Sequence, residues 1–231
     1  MSSTANAIVT GSSSGIGLAI AQGLLEQGWH VHGFDVAAPR ITHAAFTPVG
    51  VDLCDAAAAE AAARAVSGVA VLVHAAGVLR VGTLGTLQAD DASLMWQLHV
   101  NALTRIANIA VPAMAQAGFG RVVIVGSRVA RGMAGRSQYA ATKAALVALA
   151  RSWAAEVVAQ GVTINVVSPA ATQTAMLDDP ARQAAAPRVP PIGRLIRPDE
   201  IAALVSYLVS PAAAAITGQD IQICGGASLS A

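Results

Sequence analysis

The 231-residue chain reads as an α/β protein, a single doubly wound parallel sheet with helices on both faces. Three observations predict this. Short apolar, β-branched runs alternate with longer helical runs from end to end. A glycine-rich turn links the first apolar run to the first helical one. No internal repeat and no block of strands or helices marks off a second domain, and a chain of this length can bury a substantial core in one unit.

In chain order, Ala7-Ile8-Val9-Thr10 suits a buried strand within 6–10, and Leu18 to Gln27 continues an amphipathic helix begun near 15. Further strands are expected near 30–35, 46–51, 69–74, 121–126, 162–168 and 219–224. Helices are expected near 15–27, 55–67, 89–117, 137–160 and 198–209. Such alternation requires right-handed crossovers, and ligands then bind beyond the carboxyl ends of the strands. Asp35, His74, Ser127 and Pro169 all fall at those ends. The stretch from Asp178 to Pro198 holds five of the ten prolines and is expected to be irregular. It reads as a substrate lid near 176–198 or, alternatively, a rigid surface loop.

The turn Thr10-Gly11-Ser12-Ser13-Ser14-Gly15-Ile16-Gly17 carries the first chemistry. Strand, glycine-rich turn and helix make a Rossmann-like dinucleotide site: glycines let the backbone approach a pyrophosphate, and the helix amino terminus offers N–H donors. The spacing is GxxxGxG, not the commoner GxGxxG. Such a turn can also be purely structural. The strand-like run from His30 to Phe34, however, ends at Asp35, about 20 residues after the glycines. A carboxylate there accepts hydrogen bonds from ribose hydroxyls. It also opposes a 2′-phosphate, and Val36 brings no compensating charge, so the cofactor expected is NAD.

Lys143 is the only lysine; the rest of the Lys+Arg count of 14 is arginine. It lies four residues after Tyr139, on the same helix face. An ammonium beside a phenol favours the phenolate, which yields a general acid/base usable near neutral pH. Taken alone, a Tyr-x-x-x-Lys spacing is a weak signal.

Together, Thr10-Gly11-x-x-x-Gly15-x-Gly17 and Tyr139-x-x-x-Lys143 resemble the short-chain dehydrogenases/reductases, over essentially the whole chain. The resemblance implies cofactor contacts from Gly11, Ser14, Gly15, Ile16, Gly17, Asp35, Asp52, Leu53, Ala75, Ala76, Gly77, Tyr139, Lys143, Pro169, Thr172 and Thr174. It implies catalytic roles for Ser127, Tyr139, Lys143 and Asn101: Ser127 orients the substrate oxygen, and Asn101 holds a water of the proton relay. Ile216-Thr217-Gly218-Gln219 and Gly225-Gly226 resemble the family's carboxy-terminal signature. The chain also departs from the family. His74 and Ala75 replace two asparagines of an Asn-Asn-Ala-Gly turn, which leaves the side-chain support of that loop open. Ala170 replaces a glycine, and Ser127 to Tyr139 is one residue shorter than usual.

Three stretches resemble one branch of that family, the 2,3-dihydro-2,3-dihydroxybenzoate dehydrogenases of siderophore biosynthesis. They are Ala75 to Gly82, Asn165 to Pro169, and Ile216 to Ile221 with Gly225 to Leu229. The resemblance implies NAD-dependent oxidation of a ring alcohol in an anionic cyclic dihydrodiol carboxylate. Arg80 is the expected carboxylate ligand, with Ser127 and Tyr139 on the reacting oxygen; Arg128, Arg131 and Arg136 are alternatives. A 3-oxoacyl thioester reductase or general alcohol dehydrogenase shares the same motifs. A non-catalytic dinucleotide-sensing relative would share only the fold.

Composition bounds the rest. Hydrophobic residues make up 55% and charged residues 12%, with a net charge of +1, so nothing argues for nucleic acid or an anionic membrane. The amino terminus lacks a basic region followed by an apolar one. Two cysteines are too few for a disulfide framework, and a cytoplasmic protein is expected. No metal site is expected. The long helices are rich in alanine and poor in charge, so surplus apolar surface points to a homo-oligomer, with a homotetramer implied by the family.

Overall fold

The structure, a computed structural model, describes residues 5–174 and 188–229. Seven parallel strands run in the order β3-β2-β1-β4-β5-β6-β7. They are β1 (Asn6–Thr10), β2 (His30–Asp35), β3 (Phe46–Gly50), β4 (Val69–His74), β5 (Gly120–Val125), β6 (Val162–Pro169) and β7 (Asp220–Ile223). The central strands read VAVLVH, GRVVIV and VTINVVSP and are almost wholly buried. β-Branched residues on both faces suit a parallel sheet covered on both sides. This is the Rossmann-like single domain that the alternation predicts.

α1 (Gly15–Glu26) and α6 (Pro198–Val209) pack together on one face, over Val9, Val71, Val73, Val123 and Val167. α2 (Ala56–Arg64), α4 (Ala102–Ala117) and α5 (Ser137–Val157) cover the other, over Ile8, Leu72, Val122, Ile124 and Ile164. Local signals set the helix ends. Asp55 accepts the Ala58 N–H at 3.0 Å and starts α2. Gly118, at φ 72°, ends α4 in the left-handed conformation. Glu200 accepts the Arg197 N–H at 2.8 Å and anchors the start of α6.

The expected helix over 89–117 is interrupted. α3 (Ala89–Trp96) passes into a π-helical turn at Gln97–Asn101 before α4 begins. The π turn inserts a residue into the helical frame and leaves backbone carbonyls outside the regular ladder. It lies beneath the loop after β4, where two histidines enter the core. The shorter differences at other element ends are of one to three residues. The lid expected near 176–198 lies in part, at 176–187, outside the described residues. From 188 to 197 the chain is irregular, joined to the segment after β6 through a bridge between Thr172 and Ile196. Among the described residues, no helix is long and apolar enough to cross a membrane.

Candidate active site

The strand order reverses between β1 and β4, and a cleft of about 930 Å3 opens there at the carboxyl ends. It extends from Asp35 at the end of β2 to Ser127 and Pro169 beyond β5 and β6. Asp35 and Ser127 are separated by three strand spacings, roughly 14 Å. That volume suits a cofactor together with a small substrate.

The glycine turn forms one end. Gly11 has φ +69°, and a Cβ there would lie 2.9 Å from the Ala76 backbone. A Cβ on Gly17 would collide with the Gly11 carbonyl. Ser14 begins α1 without a side-chain cap, so the helix amino terminus keeps its N–H donors for a ligand. Asp35 is fixed by two backbone donors: Oδ2 accepts from Ser13 N–H at 2.8 Å and Oδ1 from Ala37 N–H at 2.9 Å. Asp52 accepts the Cys54 N–H at 2.8 Å, which turns the chain so that Asp52, Leu53 and Cys54 line the cleft. Across from the turn, Thr174 packs close to Gly15, where an added Cβ would come within 3.1 Å of its methyl group.

The loop after β4 lacks the asparagines of the resembling family, and its support comes from elsewhere. Thr10 Oγ1 accepts the N–H of Ala75 and of Ala76, both at 3.1 Å. With both lone pairs used, its proton goes to His74 Nδ1, 3.0 Å away. His74 Nε2 turns toward the π-turn carbonyls of Leu98 and His99 without closing a hydrogen bond. Burial, and secondarily the Lys143 ammonium, push His74 down to about 3, so the ring is neutral.

The opposite end carries the acid/base candidates. Ser127 follows β5 and caps the 3₁₀ turn Arg128–Arg131, its Oγ accepting the Val129 N–H at 3.2 Å. Tyr139 and Lys143 lie in the first turns of α5 and also line the cleft. Lys143 is 4% exposed, and its Nζ donates to the Val125 carbonyl at 2.9 Å. Its Nζ stands 5.7 Å from the centre of the Tyr139 ring. Burial pulls the ammonium down to about 8 from its ordinary 10.5.

The cleft therefore brings together every expected cofactor residue with Ser127, Tyr139 and Lys143. Asn101, Arg80 and the alternative Arg131 do not line it. The Asn101 amide turns back along its own helix and donates to Gln97 Oε1 at 2.9 Å. Arg80, the expected carboxylate ligand, makes contacts on its own side of the loop. Its Nε pairs with Asp91 of α3 at 3.5 Å and its Nη1 donates to the Leu79 carbonyl at 3.2 Å. Arg128, Arg136 and Arg188 line the cleft instead. Sequence reasoning missed His99, whose only signal was a histidine set between Leu98 and Val100, two residues before Asn101. It also missed Leu79, Leu94, Leu98 and Met133, apolar lining residues that a sequence cannot distinguish from core.

A family model described as Enoyl-(Acyl carrier protein) reductase matches residues 11–228. A 3-oxoacyl-[acyl-carrier-protein] reductase FabG from Vibrio cholerae is 36% identical over 234 residues, spanning 95% of this chain and 96% of the relative. A solved short-chain dehydrogenase/reductase family protein superposes with a TM-score of 0.90 at 31% identity, covering 98% of both chains. An actinorhodin polyketide ketoreductase solved with NADPH gives 0.88 at 27% identity, again over 98% of both chains. The chain belongs to the short-chain dehydrogenase/reductase family and is an oxidoreductase acting on a CH–OH or keto group.

Proposed function

We propose that the protein reduces the keto group of a 3-oxoacyl thioester to a hydroxyl, using NADH. The observation that carries this reading is one cleft holding a glycine cradle with Asp35 at one end and Ser127, Tyr139 and Lys143 at the other. The substrate class follows the Vibrio relative, similar across nearly its whole length. This favours the thioester alternative over the dihydrodiol carboxylate that the local stretches resemble.

The residues fit a nicotinamide dinucleotide. A Cβ at Gly11 or Gly17 would strike neighbouring backbone and deform the turn, and the uncapped start of α1 suits a pyrophosphate. Gly11, Ser14, Gly15, Ile16 and Gly17 would hold the phosphates. Asp35, Asp52 and Leu53 would hold the adenosine half, and Ala75, Ala76, Gly77, Pro169, Thr172 and Thr174 the nicotinamide half. When bound, the cofactor supplies hydride to the carbonyl carbon. The fixed Asp35 carboxylate favours ribose hydroxyls over a 2′-phosphate, so NAD(H) is the form we assign.

The chain's own residues manage the oxygen. The Ser127 hydroxyl donates to the carbonyl oxygen and orients it. The Tyr139 phenol gives that oxygen its proton. The charged Lys143 ammonium stabilises the resulting phenolate, and solvent returns the proton. The reverse direction uses Tyr139 as base. A second reading keeps an anionic cyclic alcohol as substrate. The cation-lined wall of Arg128, Arg136 and Arg188 favours it.

We assign one NAD-binding domain with a lid that includes 188–197, acting as a cytoplasmic homotetramer. Ile109, Val147, Leu149, Trp153 and Val157 lie only partly buried on α4 and α5, which supports pairing of these helices between copies. The deciding experiment follows nicotinamide absorbance with an acetoacetyl thioester and NADH. A parallel arm offers NAD with a dihydrodiol carboxylate. Thioester turnover is expected; activity confined to the diol arm would overturn the main reading.

A further inference from the structure

His99 is fully buried beside the cleft, in the π turn, and the mechanism above gives it no task. Both its ring nitrogens are engaged. Nε2 lies 3.0 Å from the Val78 N–H, and Nδ1 lies 2.9 Å from Thr142 Oγ1. Thr142 Oγ1 in turn lies 2.9 Å from the Tyr139 carbonyl.

Donor counting fixes every direction in this chain. A backbone N–H can only donate, so Nε2 must carry a lone pair. A carbonyl can only accept, so the Thr142 proton goes to Tyr139. Nδ1 must then hold the ring proton and donate it to Thr142. The result runs one way, from the loop after β4, through His99, to the first turn of α5. It needs a neutral ring, because an imidazolium would set a second donor against Val78. Burial first, then the Lys143 ammonium and the neighbouring His74, hold the ring well below the ordinary histidine range. The ring also stands edge-on to the Tyr139 ring, at 5.7 Å and 87°. Gly77 makes room for this: a Cβ there would come within 3.1 Å of His99 Nε2 and 3.7 Å of Lys143 Nζ.

We propose that His99 is a positioning residue, fixing the Gly77–Val78 wall of the cleft against the helical turn that carries Tyr139 and Lys143. Its kinetic consequence rests on the keto-reductase reading; the hydrogen-bond chain itself does not.

Two variants test it. His99→Phe keeps ring volume and the edge contact but removes both hydrogen bonds. His99→Gln offers an acceptor to Val78 and a donor to Thr142. Amide hydrogen exchange in the cofactor-free protein is the first readout. Losing one hydrogen bond should speed exchange at Val78 about 5- to 10-fold in the Phe variant and under about threefold in the Gln variant. In the reductase assay, kcat should fall at least about tenfold in His99→Phe and recover to within about threefold in His99→Gln, with the thioester KM little changed. A merely structural His99 would lower the melting temperature of the Phe variant and leave kcat alone.

Unchanged Val78 exchange in His99→Phe, or no recovery in His99→Gln, overturns the proposal. If the Phe variant does not fold, His99→Asn replaces it, since its amide is one methylene too short to reach both partners. An inactive wild type would instead sink the reductase reading, and Val78 exchange would still decide the role of His99.

Discussion

Lys143 holds its ammonium 5.7 Å from the centre of the Tyr139 ring while donating to the Val125 carbonyl. The carbonyl fixes where the charge sits, and the helical spacing fixes which phenol it serves. Only the phenol proton should matter for chemistry at Tyr139. Tyr139→Phe should therefore lower kcat by about 10²- to 10⁴-fold and leave cofactor affinity within about threefold in a fluorescence titration. Near-normal turnover in that variant would remove Tyr139 as acid/base.

A buried ammonium should also leave a mark on stability. The unfolded lysine keeps its proton up to about 10.5, whereas the folded one releases it above about 8. Between those values the unfolded chain binds more protons, so stability rises with pH, at no more than about 1.4 kcal/mol per unit. Below that window the full cost of the buried charge is present. Lys143→Met removes the titration. Urea unfolding of both proteins at about pH 7.5 and about pH 9.5 should show the extra rise only in the wild type. Parallel pH profiles would mean that Lys143 is not desolvated as found.

Much of this was legible in the sequence, for identifiable reasons. Parallel strands buried on both faces must be apolar runs, so β4, β5 and β6 announce themselves. The glycines at 11 and 17 mark backbone contacts that no side chain tolerates, and an i, i+4 pair such as Tyr139 and Lys143 needs only one helix to bring it together. Contacts between distant segments were not legible. Nothing in the sequence says that Asp91 claims Arg80, that Thr10 supports the loop after β4, or that a π turn places His99 under Val78. Each depends on how helices cross the sheet.

Gly17 offers a stringent check of the cradle. A Cβ there meets the Gly11 carbonyl, backbone against backbone, with no flexible atom to yield. Gly17→Ala should weaken dinucleotide binding at least about tenfold, or about 1.4 kcal/mol, by calorimetry. Binding at wild-type strength would place the phosphates elsewhere.

Asp35 should decide between the two nicotinamide cofactors. Its carboxylate is held by Ser13 and Ala37 and cannot swing aside without breaking both bonds. The next residue, Val36, is 76% exposed and uncharged. The wild type should favour NADH by at least about tenfold in kcat/KM, and Asp35→Ser should erase most of that preference. A wild type that prefers NADPH would show that the carboxylate does not face the ribose.

The last prediction concerns the arginines. Arg80 pairs with Asp91, a partly exposed pair that contributes at most about 1 kcal/mol. Arg80→Met should therefore lower stability slightly and leave substrate KM unchanged. Arg128 follows Ser127 directly, lines the cleft and donates to the Ala227 carbonyl at 3.3 Å. Among the described residues that neutral carbonyl is its one hydrogen-bond partner, which leaves most of its fork to face the cleft. Two thioesters of the same acyl group separate the possibilities, one on coenzyme A and one on an uncharged cysteamine. Arg128→Met should raise KM for the anionic thioester about 10- to 100-fold and barely change the uncharged one, because only the first substrate uses the charged fork. Equal effects on both would make Arg128 a structural brace for the carboxy-terminal turn. An Arg80→Met defect confined to the anionic substrate would return the anion site to Arg80, and would require its pair with Asp91 to break on binding.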